Sequence, residues 1–197
     1  MRTTRLPNQP YALPVSLDVL VNEPLRLVDK AADLSAAQQQ HISDLARAAA
    51  QLYETVTRQA VMEAQYVSVV DAWSAEIHGL VGPVRAVSRV AYRDGANITA
   101  DLLPEDYELS DLYADRLVFP NYTQLPRVYP HSAERIRIYY TAGAQTLAEV
   151  PPLTVQFIKL MVAHWYENPQ AVVVAQNIGE LPLGAREILN WEREPVL

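Results

Sequence analysis

Between Arg135 and Pro169 the chain reads RIRIYYTAGAQTLAEVPPLTVQFIKLMVAHWYENP: an alternating strand, a glycine, then a helix apolar on nearly every side. Ile136, Ile138 and Tyr140 alternate with Arg135, Arg137 and Tyr139, the period-two pattern of a strand buried on one face. Gly143 breaks the strand, and Pro152 suits the first turn of a helix, where its missing N–H costs nothing. Along that helix Leu153, Phe157, Leu160, Met161 and His164 share a face, while Val155, Ile158, Val162, Trp165 and Tyr166 cover the rest. So little polar surface requires burial on more than one side, by the chain's own core or by another chain. Phe157, Met161, Trp165 and Tyr166 are therefore candidates for core or subunit interface.

The rest of the chain supplies the elements around this strand and helix. Pro7, Pro10, Pro14 and Pro24 predict an extended N-terminal arm, with VSLDVLV, Val15 to Val21, as a short helix or strand inside it. Ser35 and Gln38 form an S-x-x-Q capping box, and Ile42, Leu45, Ala46, Ala49, Leu52, Tyr53 and Val56 follow at helical spacing to about Thr57. From Gln65 the runs QYVSVVDAW, VRAVSRVAYRDG, YELSDLYADRLVF and RIRIYYTAG, separated by turn residues, predict a small antiparallel sheet. After Pro169 a Pro- and Gly-containing stretch leads to a short amphipathic helix, residues 184–194. The expectation is an α+β single domain over residues 1–197. It has a mainly helical body (25–169) with a small inserted antiparallel β region at about 65–142, flanked by extended N- and C-terminal arms (1–24 and 170–197).

Composition excludes much chemistry. With no cysteine there is no disulfide scaffold, thiolate zinc site or cysteine nucleophile. A net charge of −7 with only two lysines, Lys30 and Lys159, argues against a protein built to grip nucleic-acid phosphates. No segment reaches the roughly 18 apolar residues of a membrane span, and no secretory signal is recognisable, so the expectation is a soluble intracellular protein with no membrane partner. His41, His78, His131 and His164 fall in different elements without metal-ligand spacing, and His164 reads as a packed or hydrogen-bonded histidine. The acidic group Asp101, Glu105, Asp106, Glu108 and Asp111 lacks the pattern of a calcium loop and reads as a solvated loop. Nucleotide-binding and nucleophile-elbow motifs are missing, so no catalytic, cofactor or metal site is expected. The competing enzyme reading uses Asp106, His131 or His164 as a carboxylate or histidine in a cleft.

Taken in order, residues 15–169 resemble the head-to-tail connector, or adaptor, family of long-tailed phages, prophages and gene transfer agents. The likeness rests on the opening helix with Ala49, Glu54, Thr57 and Arg58 near its end, on GPVRAVSRVAYRDG and DYEL, on IRIYYTAG, and on VPPLTVQFIKLMVAHWYENP. The chain departs from the family at Pro169, where arginine is usual. The resemblance implies a virion structural protein, assembled in the bacterial cytoplasm, that forms a homo-oligomeric, dodecameric ring beneath the portal vertex. Its implied partners are the portal protein, a stopper or other neck or tail protein, and double-stranded DNA that passes through the channel without specific binding. No cofactor is implied. A neck stopper or tail-completion protein is the alternative within the same particle. In the family the C-terminal tail reaches toward the portal, so Leu183, Arg186, Ile188, Leu189, Trp191 and Arg193 are the candidate portal-binding residues.

Overall fold

The computed structural model describes residues 1–7, 11–168 and 181–192. In chain order the strands are β1 (Arg2–Arg5), β2 (Ala64–Val70), β3 (Glu76–Ile77), β4 (Val84–Arg93), β5 (Thr99–Asp101), β6 (Glu108–Leu109), β7 (Leu117–Val118) and β8 (Ile136–Ala142). The helices are α1 (Leu17–Asn22), α2 (Ala36–Thr57), α3 (Pro152–Glu167) and α4 (Leu183–Glu192). They divide between a β unit, Met1–Pro10 with Glu63–Gly143, and a helical unit, Tyr11–Met62 with Ala144–Leu197.

In the β unit an antiparallel sheet of order β1-β2-β8-β4-β5 is centred on β8. The alternation read from the sequence is the alternation of burial: Ile136, Ile138, Tyr140 and Ala142 are buried and the residues between them are half-buried. Opposite them on the same face lie Tyr66, Ser68 and Val70 of β2. Polar groups on that face are linked. The Val81 N–H donates to the Tyr140 hydroxyl at 2.9 Å, which lies 3.2 Å from Ser68 Oγ, itself 2.7 Å from Thr3 Oγ1. Beyond β4 the chain turns at Asp94, whose Oδ1 accepts the N–H groups of Ala96 and Ile98, and β5 returns. A second sheet, β3-β7-β6, contributes the buried Ile77 and Leu117. Trp73 packs edge-on against Phe119 and Tyr92, its Nε1–H donating to the Pro126 carbonyl at 2.8 Å.

In the helical unit α2 starts at the expected capping box: the Gln38 N–H donates to Ser35 Oγ, and Gln38 Oε1 accepts the Ser35 N–H. Its inner stripe of Ile42, Leu45, Ala46, Ala49, Ala50 and Tyr53 is buried, and the run of alanines presents a narrow surface to α3. The Tyr53 and Phe157 rings meet 5.6 Å apart in a tilted pair. Leu20 and Val21 of α1, and Ala185 and Leu189 of α4, join the same apolar cluster. Asp18 secures the link between α1 and α2 by accepting the Ala31 N–H at 2.7 Å.

This arrangement corrects the expectation of a mainly helical body with extended arms. Helix takes 37% and strand 23% of the described residues, and the β portion, a five-stranded and a three-stranded sheet, forms a unit of its own, so the fold is α+β without helical predominance. The N-terminal segment is not an extended arm either. Residues 2–5 are an edge strand of the sheet, and Val15, Leu20 and Val21 are buried core. Pro7, Pro14 and Pro24 stand between elements, where a missing N–H breaks no ladder, so they punctuate short elements and do not prevent them. At the other end α4 is packed into the core through Ala185 and Leu189.

Candidate functional site

The apolar helix owes its composition to its own unit. Phe157, Ile158, Met161 and Val162 of α3 are fully buried and Trp165 is 4% exposed, while Tyr166 is half-buried with its ring 6.1 Å from that of His41. α2 covers one side of α3 and α4 another, with Leu160 lying against Gly184. Of the residues assigned to core or interface, Phe157, Met161 and Trp165 are thus core, and Tyr166 borders it.

α4 sorts the proposed portal-binding residues by face. Leu189 is buried and Ile188 packs against the core, one helical turn from the buried Ala185. Leu183 is 66% and Trp191 80% exposed, pointing away from that stripe with Glu187 and Asn190, while Arg186 is half-buried. Arg193 lies outside the described residues. The spacing 185-188-189 is the signal in the sequence that separates the two faces.

The end of α4 is tied to α2 through Gln59, next to Tyr53. The Tyr53 pKa is pushed up to about 12, chiefly by burial and further by the nearby Glu192, and its hydroxyl donates to Gln59 Oε1 at 3.5 Å. Beside it the Gln59 amide donates to the Glu192 carbonyl at 3.4 Å.

Other residues singled out in the sequence have local structural jobs. Ala49 is buried; the Glu54 carboxylate accepts the Val61 N–H at 2.8 Å; Thr57 Oγ1 donates to the Tyr53 carbonyl; and Arg58 closes α2 in the left-handed conformation at φ 59. In YTAG, Ala142 is buried, and Gly143 turns the chain at φ +100 with its N–H donating to the Pro83 carbonyl. Asp106 ends a short 3-10 turn, Pro104–Asp106. His131 is exposed in the loop before β8, its ring 5.7 Å from Tyr129, and His164 lies half-buried in the last turn of α3. Among the described residues no group of three His, Asp or Glu side chains could hold a metal, and no helix is long and apolar enough to cross a membrane.

No protein-family model matches the sequence, and no curated protein matches it. Solved structures do. A chain from the neck of an empty gene transfer agent particle, computed with C6 symmetry, superposes with a TM-score of 0.74 at 19% identity, covering 100% of this chain and 97% of that one. The fold is that of a gene transfer agent neck chain. A chain from the virion of a native gene transfer agent particle gives a TM-score of 0.74 at 20% identity, with 100% and 97% coverage. A third, from the neck of a native particle computed with C12 symmetry, gives 0.68 at 20% identity, again covering 100% and 97%. The neck-chain fold therefore accounts for the β unit and the helical unit together.

Proposed function

We propose that the chain is a structural head-tail connector, or adaptor: copies of it form a dodecameric ring under the portal vertex, extend the DNA channel and join the filled head to the neck or tail. The observation that carries this reading is the full-length likeness to neck chains, one of them from a neck computed with C12 symmetry. The charge supports it. A channel for moving DNA has to avoid gripping phosphates, and a chain with net charge −7 and two lysines does so. In this reading the outward face of α4, Leu183 and Trp191 with Arg186 beside them, meets the portal, and the opposite end of the ring receives a stopper or tail protein.

The test is reconstitution on portal-bearing, DNA-filled heads that lack every other neck protein. A connector binds these heads directly and, with the remaining neck proteins, restores tails. A chain that binds only after another neck protein has docked is a stopper or tail-completion protein instead. A chain that binds at neither step is not a neck component.

A further inference from the structure

The buried face of the five-stranded sheet explains half of its side chains. On the opposite face, register aligns Arg2, Val69, Arg137, Ala91 and Asp101 in one row across all five strands, and Thr4, Val67, Tyr139 and Arg89 in the next. Arg93 and Thr99 extend the same face. Apart from Ala91, every one of these residues is half-buried or exposed. The face thus has four arginines against Asp101 and the adjacent Glu134. Arg89 is bonded to Asp101 at 2.7 Å and lies over the Tyr139 ring, and Arg137 is paired with Glu134. The guanidinium groups are held in place, and arginine and tyrosine are the side chains enriched where proteins meet.

The rest of the chain has the opposite charge. The helical unit carries seven Lys or Arg against twelve Asp or Glu. Over residues 18–44 there are five carboxylates, Asp18, Glu23, Asp29, Asp33 and Asp44, against Arg26 and Lys30. Glu23, Asp29, Asp33 and Asp44 are exposed, Glu23 paired with Lys159 and Asp44 with Arg47, and Glu23 and Asp29 border an open hollow of about 530 Å³.

We infer that the arginine-bearing open face of the sheet is one half of a contact between copies, and that its occupant is the acidic segment 18–44 of the next copy's helical unit. The inference rests on the ring reading above. A ring closes by repeating one heterologous interface, so each copy presents two different, complementary patches. α3 provides neither, because apart from Leu153 at its start its large apolar side chains are buried or half-buried within its own unit. The sheet face and the acidic segment are complementary in charge, and charge of this kind fixes partner and register. Two of the arginines are already half-neutralised by carboxylates, which favours a protein patch over a polyanion such as DNA as the occupant.

Complementary charge reversal tests it. Arg89→Glu with Arg137→Glu makes the sheet face acidic; Asp29→Arg with Asp33→Arg makes the helical patch basic. Each full-length variant is followed by sedimentation and native mass spectrometry, alone and on portal-bearing heads, with thermal unfolding as the check on folding. Each variant alone should need a concentration at least about tenfold higher to form rings. An equimolar mixture should restore them, since alternating copies then meet opposite charge at every contact. Arg89→Lys with Arg137→Lys should assemble like the unaltered chain. If the first pair of reversals lowers the melting temperature, Arg2→Glu with Arg93→Glu replaces it, because neither arginine belongs to the ion pairs above. Folded variants that form rings as readily as the unaltered chain, or a mixture that restores nothing, overturn the inference and leave the ring reading standing. An unaltered chain that stays monomeric both alone and on portal-bearing heads overturns the ring reading, and this contact with it.

Discussion

The two faces of α4 lead to opposite outcomes for two neighbouring substitutions. Leu189 is 2% exposed within the cluster formed by α2, α3 and α4. Leu189→Ala removes buried methyl groups and leaves a cavity, at a cost of about 2–5 kcal/mol. For a chain of this size each kcal/mol lowers the melting temperature by roughly 2–4 °C, so the expected loss is roughly 4–20 °C. Trp191 is 80% exposed. Its replacement by Ala should change stability by no more than about 0.5 kcal/mol. If α4 meets the portal, the same variant should yield filled heads without tails. Circular dichroism melting of the two purified variants, beside a complementation assay for tailed particles, reads both effects. A melting temperature unchanged by Leu189→Ala would show that α4 does not dock on its own unit. Normal tailing with Trp191→Ala would remove α4's outward face from the portal contact. Deleting residues 180–197 takes away Ala185 and Leu189 together, so it should lower stability as well as attachment.

Tyr53 gives a pH signature: the unfolded chain releases the phenolic proton near pH 10 and the folded one near 12, so stability is complete below pH 10 and falls by roughly 3 kcal/mol between pH 10 and 12. Melting curves across that range should show the fall, and Tyr53→Phe should lack this component; the same slope in both proteins would refute the assignment. Tyr140→Phe strips the Val81 N–H and Ser68 Oγ of a shared partner and should cost about 1–3 kcal/mol in chemical denaturation, and an unchanged midpoint would contradict the network. Duplex DNA should bind weakly or not at all at physiological salt in a shift assay, since the 16 Lys and Arg are outnumbered by 23 Asp and Glu. Submicromolar, steeply salt-dependent binding would overturn the passive-channel reading.

What was legible in the sequence was the set of elements whose own side chains announce their surroundings. β8 could be read because one face of its sheet is buried and the other open, so burial alternates with period two. The start of α2 could be read because its capping box is local, Ser35 to Gln38. β1 could not. RTTR has no apolar residue, and what makes it a strand is pairing with Tyr66–Val69, more than sixty residues away. The surroundings of α3 were half legible. Its composition demanded burial on several sides, but periodicity does not say by what, and the cover comes from α2 and from α4, where only Ala185, Ile188 and Leu189 mark the stripe. The open arginine face was hidden for the same reason as β1: Arg2, Arg89 and Arg137 become neighbours only through strand order β1-β2-β8-β4.

The motifs that carry the resemblance to connectors turn out to hold the fold together. Glu54 and Thr57 bond backbone groups at the end of α2, Tyr140 links three strands and loops through its hydroxyl, and Gly143 adopts a conformation that favours glycine. Each is tied to the backbone geometry of this fold. Surfaces that meet partners have no such constraint, because a contact can change on both sides at once and keep its complementarity. A chain of this kind can therefore share a full-length fold at 19–20% identity while no family model or curated protein matches its sequence. It follows that the residues which hold the fold are poor guides to the chain's neighbours. Those are to be sought at exposed side chains outside the core, Trp191 and Leu183 on α4 and the open face of the sheet.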